Sequence, residues 1–166
     1  MKGKKVAEST VIMAQEMRPQ DANSAGNVHG GTIMKLIETA AGVVATRHAR
    51  ADVVTVSVDR LDFYHTVLVG EFLTMRASLN YVGKTSMEVG VRVESENPIT
   101  GDRKHTSTAY LTFVALNKKG RPTPLPPVIL ETKEQERRHQ EAQARRQTRL
   151  LEKTREKEVP ADPAVD

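Results

Sequence analysis

The residues best suited to chemistry lie in a polar, glycine-rich loop and in the segment that follows it. The loop runs from Asp21 to Gly31 and contains Asn23, and the next segment is almost wholly apolar but carries one acid, Glu38. A helix that begins after such a loop directs backbone N–H groups and a positive dipole end at one point. The pattern predicts a site that polarises a carbonyl beside a carboxylate base, which is an arrangement suited to hydrolysis.

Glu38 is the strongest single candidate. It could simply face solvent, or pair with Lys35 or Arg47, but its apolar flanks favour a functional role because an unpaired carboxylate is costly to bury. Burial is expected to raise its pKa toward the range that suits a general base.

The loop residues have simpler alternative explanations. Asn27 is favoured as a turn residue, whereas the choice between turn and site stays open for Asn23. Gly30 and Gly31 permit a ligand to approach the backbone, although a bend at the start of the helix would also explain them. His29 has no neighbouring nucleophile or metal ligand in the sequence, and we favour a structural role for it.

The remaining polar residues give weaker signals. His65 and His105 have no recognisable metal-ligand spacing. Asp59 and Asp62 lie in or at the end of a predicted strand, where pairing with Arg60 is the simplest expectation. No metal site is predicted.

Composition excludes several classes of protein. The 166 residues include no cysteine, which rules out disulfides and a thiol nucleophile, and no Gly-x-Ser-x-Gly motif is present. The net charge of +4 could suit a polyanion, but the absence of tryptophan and the three Phe and three Tyr argue against a base-stacking surface. No apolar stretch resembles a signal peptide or a membrane span, so we expect a cytoplasmic protein with no membrane or nucleic-acid partner.

The order of predicted elements indicates an α+β fold. Residues 10–18 suit a strand that ends before Pro19, and residues 32–48 suit a helix that is buried on nearly all sides. After Asp52 the alternation of valines with polar residues at 54–59 is typical of a strand with one buried face. Further strands are predicted at 71–82, 86–96 and 105–117, with a hairpin at 83–85 and a turn at 97–102. One long helix and an antiparallel meander predict a sheet that wraps the helix.

The C-terminal region has a different composition. Residues 120–127 are rich in proline and end the regular structure. Residues 131–158 are dominated by Glu, Gln, Lys and Arg, which favours a solvated helix with i,i+4 ion pairs, and residues 159–166 are expected to be frayed or disordered. We therefore predict one domain over 8–128, a charged helix over 129–158 and a disordered tail over 159–166.

Four segments together resemble the hotdog-fold acyl-CoA thioesterases, in particular the group that includes the brain cytosolic acyl-CoA hydrolase and single-domain bacterial relatives. They are NSAGNVHGGTIMKLIE (23–38), ATRH (45–48), VSVDRLDF (56–63) and GKTSME (83–88). The resemblance runs from about Ile12 to the charged tail. It implies a single hotdog domain and hydrolysis of fatty acyl-CoA without a metal or a bound cofactor.

The resemblance also implies an assembly and a set of site residues. Hotdog enzymes of this group act as homodimers, and several form a trimer of dimers. Asn23 of one subunit is expected to face Glu38 of its partner, where relatives often carry Asp, and the N–H groups of Gly30 and Gly31 would form an oxyanion hole. Glu38 would activate water, with direct attack to form an anhydride as an alternative.

Two further groups of residues follow from the resemblance. The CoA phosphates would lie near the hairpin residues Gly83, Lys84, Thr85 and Ser86. The acyl chain would lie along the helix, against Ile33, Met34 and Ile37.

Three rival functions stay open at this point. One is a non-catalytic acyl-CoA-binding hotdog protein, and another is a basic nucleic-acid-binding module. The third is a hotdog dehydratase, which normally uses a His and an acid on a different motif.

Overall fold

A computed structural model describes residues 1–158, and the predicted disordered tail at 159–166 lies outside that range. Within residues 1–158, seven strands and two α-helices follow one another. They are β1 (Lys4–Lys5), β2 (Val11–Glu16), α1 (Gly30–Ala49), β3 (Asp52–Phe63), β4 (Phe72–Val82), β5 (Ser86–Glu96), β6 (Arg103–Leu116), β7 (Val128–Ile129) and α2 (Lys133–Glu158).

The main sheet has five antiparallel strands in the order β2-β4-β5-β6-β3. The predicted meander is confirmed, because β4, β5 and β6 are neighbours joined by the hairpin at 83–85 and the turn at 97–102. The strands that precede them in the sequence take the two edges, with β2 beside β4 and β3 beside β6. The short strands β1 and β7 pair in parallel, so the N-terminal residues lie beside the segment that precedes α2.

The core lies between one face of this sheet and α1. Alternate residues of β4, β5 and β6 point toward the helix and are almost completely buried. Examples are Leu73, Met75, Val89, Val91, Leu111 and Phe113. This period of two is the usual pattern of a sheet with one face on a core.

Helix α1 is longer than predicted, and it is not buried on nearly all sides. On the side of α1 that faces the sheet, Ala40, Ala41 and Ala45 are fully buried. Their small side chains allow the helix to lie close to the sheet. The sheet covers only that side, and the opposite face, which includes Met34 and Glu38, is exposed. The expectation of all-round burial is wrong because the chain has no second element to cover the other side of α1 within residues 1–158.

The predicted strand after Asp52 is confirmed as β3, but its valines are not buried. Val54, Val56 and Val58 are 42%, 45% and 46% exposed. β3 is an edge strand, and its pairing with β6 shifts register twice, which disturbs a strict alternation. The result is a long, exposed, apolar sheet edge.

The charged segment forms α2 as predicted, with ion pairs such as Glu134–Arg138 at 2.8 Å. It is not fully solvated, however. One side of α2 lies on the outer face of the main sheet, where Ala142 is fully buried and Arg145 binds Glu88 of β5. Neither helix of the described part is long and apolar enough to cross a membrane.

Candidate functional site

Asn23 organises the loop before α1. Its Oδ1 accepts hydrogen bonds from the backbone N–H groups of Ala25 at 2.9 Å and Asn27 at 3.2 Å, and its own N–H donates to the Asn27 carbonyl at 2.7 Å. These are the contacts of an Asx-type turn. Within residues 1–158, the Nδ2 amide of Asn23 has no acceptor and is free to donate to a ligand.

The N-terminus of α1 presents one free backbone donor. His29 is the N-cap residue, and its Nδ1 accepts from the Gly31 N–H at 2.9 Å. The carbonyl of His29 accepts from Thr32 and Ile33. In the described part of the chain the Gly30 N–H has no acceptor, so Gly30 and Gly31 differ: only the first is available to polarise a substrate carbonyl.

Glu38 lies on the exposed face of α1, so the burial expected from its apolar flanks does not occur within one chain. Its Oε1 accepts a hydrogen bond of 2.8 Å from the Thr55 hydroxyl on β3. Thr55 was missed by the sequence analysis. The sequence did contain a signal for Thr55, because its hydroxyl lies between Val54 and Val56 in the alternating pattern of β3.

A cavity of about 280 Å³ lies next to Glu38, between α1 and the strands β3 and β6. Its walls are mainly apolar. The lining residues are Met34, Lys35, Ile37, Glu38, Val58, Leu61, Ala109 and Leu111. The structure thus places Met34 and Ile37, two of the three predicted acyl-channel residues, at this cavity, whereas Ile33 is buried in the core.

Gly30 and Glu38 are well separated within one chain. They are eight positions apart on the same helix, which corresponds to a rise of about 12 Å. The free N–H group and the carboxylate are thus more than two turns apart along one helix.

The predicted CoA-binding hairpin joins β4 to β5 and lies at the end of the sheet closer to Glu38. Gly83 N–H donates to the Ser86 carbonyl at 2.8 Å, and the Lys84 carbonyl accepts from Leu125. Ser86 pairs with Val114, which in turn pairs with Val54 at the start of β3. Gly30, in contrast, lies near Phe63 at the other end of β3. A Cβ atom placed on Gly30 would be 3.6 Å from the Phe63 ring.

The remaining polar candidates have structural partners. Asp62 pairs with Arg60 at 2.5 Å as expected, but Asp59 does not, because it binds Arg149 of α2 instead. The sequence could not indicate that α2 would dock there.

His65 and His105 bond to backbone carbonyls of β6, and His105 also contacts the Thr108 hydroxyl. Residues 1–158 contain no group of three acids or histidines placed to hold a metal ion.

Comparison with known proteins agrees with this architecture. The profile of the thioesterase superfamily matches residues 25–101. The chain is 38% identical over 128 residues to an uncharacterised acyl-CoA thioester hydrolase of Bacillus subtilis, and the match covers 77% of this chain and 74% of that protein. It is 42% identical over 144 residues to the cytosolic acyl coenzyme A thioester hydrolase of Mus musculus, which covers 80% of this chain but spans 38% of the mouse enzyme.

Solved structures share the whole fold. An acyl-CoA thioesterase crystallised as an apo hexamer superposes with a TM-score of 0.88 at 36% identity, covering 92% of this chain and 97% of that one. The acyl-CoA hydrolase of Staphylococcus aureus, in complex with butyryl coenzyme A, coenzyme A and coenzyme A disulfide, superposes with a TM-score of 0.86 at 32% identity, covering 93% and 94%. That enzyme has also been crystallised with single alanine substitutions of an Asp, an Asn and a Thr.

Proposed function

Because the chain belongs to the hotdog-fold thioesterase superfamily of acyl-CoA hydrolases, we propose that it hydrolyses fatty acyl-CoA to a free fatty acid and CoA. The observation that carries the proposal is the Glu38 carboxylate, held by Thr55 at the edge of an apolar cavity. The cavity suits an acyl chain, and the carboxylate suits the activation of water at the end of that chain.

The active site is completed by a second copy of the chain. Within one chain, about 12 Å of helix separates the Gly30 N–H from Glu38, and a site shared between two subunits avoids this separation. A copy related by a twofold axis would present the other end of its own α1. Asn23 and Gly30 of one subunit then face Glu38 of its partner.

The surface that fits this pairing is the β3 edge. An exposed edge strand offers unpaired backbone groups to another chain, and the exposed valines at 54, 56 and 58 add apolar surface that pairing would bury. Three such dimers would give the hexameric assembly of a solved relative. We include this trimer of dimers in the proposal.

The substituted residues of the S. aureus enzyme support the same site. The Asn, Asp and Thr in question have the same separations along that chain as Asn23, Glu38 and Thr55 have in this one. The only change in residue type is Glu38 in place of Asp.

Each residue has a defined part in the proposed reaction. The thioester oxygen accepts from the Gly30 N–H at the α1 N-terminus, which stabilises the oxyanion that forms on attack. Glu38 takes a proton from water, the oxygen of which bonds to the thioester carbon, and the Asn23 amide orients the reactants. The carbon–sulfur bond then breaks and the CoA thiolate leaves. The reaction needs no cofactor.

The CoA portion is assigned to the hairpin at 83–86. The exposed Lys84 supplies a positive charge for a phosphate, and the Thr85 and Ser86 hydroxyls supply donors. The hairpin lies at the end of the sheet closer to Glu38, so the nucleotide end of CoA would sit on the subunit that provides the carboxylate.

Thiol release from a panel of short to long acyl-CoAs tests the function directly. Wild-type protein should release CoA, and Glu38→Ala should abolish release while leaving CoA binding intact. Asn23→Ala should lower release. If the wild type binds CoA but hydrolyses no acyl-CoA, the protein is a non-catalytic acyl-CoA-binding protein instead.

Direct attack by Glu38 makes a separate prediction. If water attacks the Glu38 carbonyl of the anhydride, a single turnover in H₂¹⁸O leaves one ¹⁸O in the Glu38 carboxylate, and label found there would establish direct attack. General-base catalysis places ¹⁸O in the fatty acid from the first turnover.

A further inference from the structure

The segment of β3 that carries Thr55 pairs irregularly with the sheet. Its pairing with β6 shifts register twice within a few residues, which leaves Val56 and then Asp59 without a paired residue. A bulge disrupts the hydrogen-bonded ladder and changes the direction of side chains. Since β3 is one of the two edge strands of this chain's sheet, β6 is the only strand of the same chain that pairs with it within residues 1–158.

This segment links two contacts on opposite sides of the sheet. On the α1 side, Thr55 donates to Glu38 at 2.8 Å. On the outer side, Asp59 accepts from the Ser57 hydroxyl at 2.8 Å and from the guanidinium of Arg149 on α2. The Arg149 and Asp59 side chains are only 15% and 12% exposed, so this ion pair is screened from water much more than a surface pair.

Helix α2 is anchored independently of Arg149. Arg145 makes two hydrogen bonds to the buried Glu88, at 2.7 and 3.1 Å, and its guanidinium lies 3.7 Å from the centre of the Tyr110 ring. Ala142, one turn earlier, is fully buried. These contacts hold α2 on β5 and β6, so the helix is a fixed support from which Arg149 reaches the bulged edge strand.

We propose that Arg149 is a positioning residue for the reaction. By holding Asp59 at the second bulge, α2 fixes the course of β3 between Ser57 and Thr55, and so aims the Thr55 hydroxyl at Glu38. Arg149 touches neither substrate nor the reacting atoms. The inference rests on the proposed function, because its effect is expressed in turnover.

The first test compares two arginines of α2. Arg149→Ala should lower kcat by about 10- to 100-fold with KM little changed, since a displacement of about 1 Å in a catalytic group can cost about 100-fold. Arg149→Lys, which keeps the charge, should recover part of the loss. Arg138→Ala removes an exposed arginine that contacts Ser78 on β4, and it should leave kcat unchanged. Equal losses in the Arg149→Ala and Arg138→Ala variants would overturn the proposal.

A double-mutant cycle separates positioning from a general loss of stability. If Arg149 acts through Thr55, then Arg149→Ala should change kcat by less than about 2-fold in a Thr55→Val background. Multiplicative losses in the double variant would overturn the proposal. Thermal unfolding of each variant confirms that kcat is compared among folded proteins.

Hydrogen–deuterium exchange gives a readout that does not need activity. Arg149→Ala should raise amide exchange in residues 54–60 but not in α1 or β4. If the wild type hydrolyses acyl-CoA and exchange at 54–60 is unchanged, the positioning role is wrong and the proposed function stands. If the wild type hydrolyses no acyl-CoA, the proposed function and the role of Arg149 in it are both wrong, whatever the exchange result.

Discussion

The Thr55 hydroxyl donates to the Glu38 carboxylate across 2.8 Å and joins the exposed face of α1 to the edge strand β3. One carboxylate oxygen is thereby held, and the other is left to accept a proton from water. The pair lies at an apolar cavity, and it lies about 12 Å along the helix from the free N–H of Gly30. This separation is the physical argument for the proposed site built from two subunits.

Substitution of Glu38 tests its role as a base. Glu38→Gln keeps the shape of the side chain but cannot take a proton, and we expect kcat to fall by about 100- to 10,000-fold with CoA affinity within about 2-fold of wild type. Glu38→Asp is the matched control and should keep substantial activity, because it retains the carboxylate. Steady-state thiol release and calorimetric titration of CoA measure the two quantities. A fully active Glu38→Gln variant would rule out this base.

A charge on the β3 edge should break the proposed dimer. Val56→Lys puts an ammonium group on the surface that pairing would bury, and burial of an unpaired charge is strongly unfavourable. We expect a lower mass in sedimentation equilibrium and a loss of thiol release together. Ile99→Lys, in a turn where the side chain is 91% exposed, is the control and should change neither. A Val56→Lys variant that keeps its mass would place the interface elsewhere.

The N-cap contact of His29 makes a prediction about stability. His29→Ala removes the acceptor for the Gly31 N–H at the start of α1 and should lower the free energy of unfolding by about 0.5–2 kcal/mol. His29→Asn supplies another good N-cap residue and should recover most of that loss. Denaturant unfolding of the three proteins measures the difference. Equal free energies of unfolding for the wild type and the alanine variant would mean that the His29 cap does not stabilise the protein.

Much of the architecture could be predicted from the sequence because local patterns carry it. The period of two in β4 to β6, the hairpin at Gly83 and the loop before α1 each depend on residues close in sequence. The same is true of the role of His29, which caps its own helix.

The wrong expectations concern contacts between distant segments. Asp59 was assigned to Arg60, its neighbour, but it binds Arg149, 90 residues away. Glu38 was expected to be buried because its neighbours in sequence are apolar, yet burial depends on what covers that face of α1. Periodicity gives the faces of an element but not the partner of each face.

The buried His48 predicts a dependence of stability on pH. Burial lowers the pKa of its imidazole below the ordinary 6.5, while the hydrogen bond from Nε2 to the Pro126 carbonyl, 2.8 Å long, opposes the shift. Nδ1 is buried with no partner in the described residues, so protonation there would place an unpaired charge in the core. The unfolded chain binds this proton more readily than the native one. With respect to this histidine, the free energy of unfolding is therefore highest above about pH 6.5. It falls as the pH drops from there toward the lowered pKa of His48.

The contribution of this histidine should be at most about 1.4 kcal/mol per pH unit. Denaturant unfolding from pH 7.5 to 5 measures the slope, and His48→Gln, which cannot titrate, should flatten it. The Glu94 carboxyl contributes little in this range, because Arg92 and Arg76 hold its pKa below its ordinary 4.5. An unchanged slope in the glutamine variant would assign the dependence to another group.

The measurement that tests the central claim most directly is complementation between two inactive subunits. Asn23→Ala and Glu38→Ala chains, each carrying a different affinity tag, are co-expressed, and the mixed dimers are isolated and assayed for thiol release. If Asn23 of one subunit acts with Glu38 of the other, each mixed dimer contains one intact site and should show about half of the wild-type activity per dimer. If both residues act within one chain, every site in the mixed dimer lacks a group, and activity no higher than that of the two parent variants would contradict the shared site.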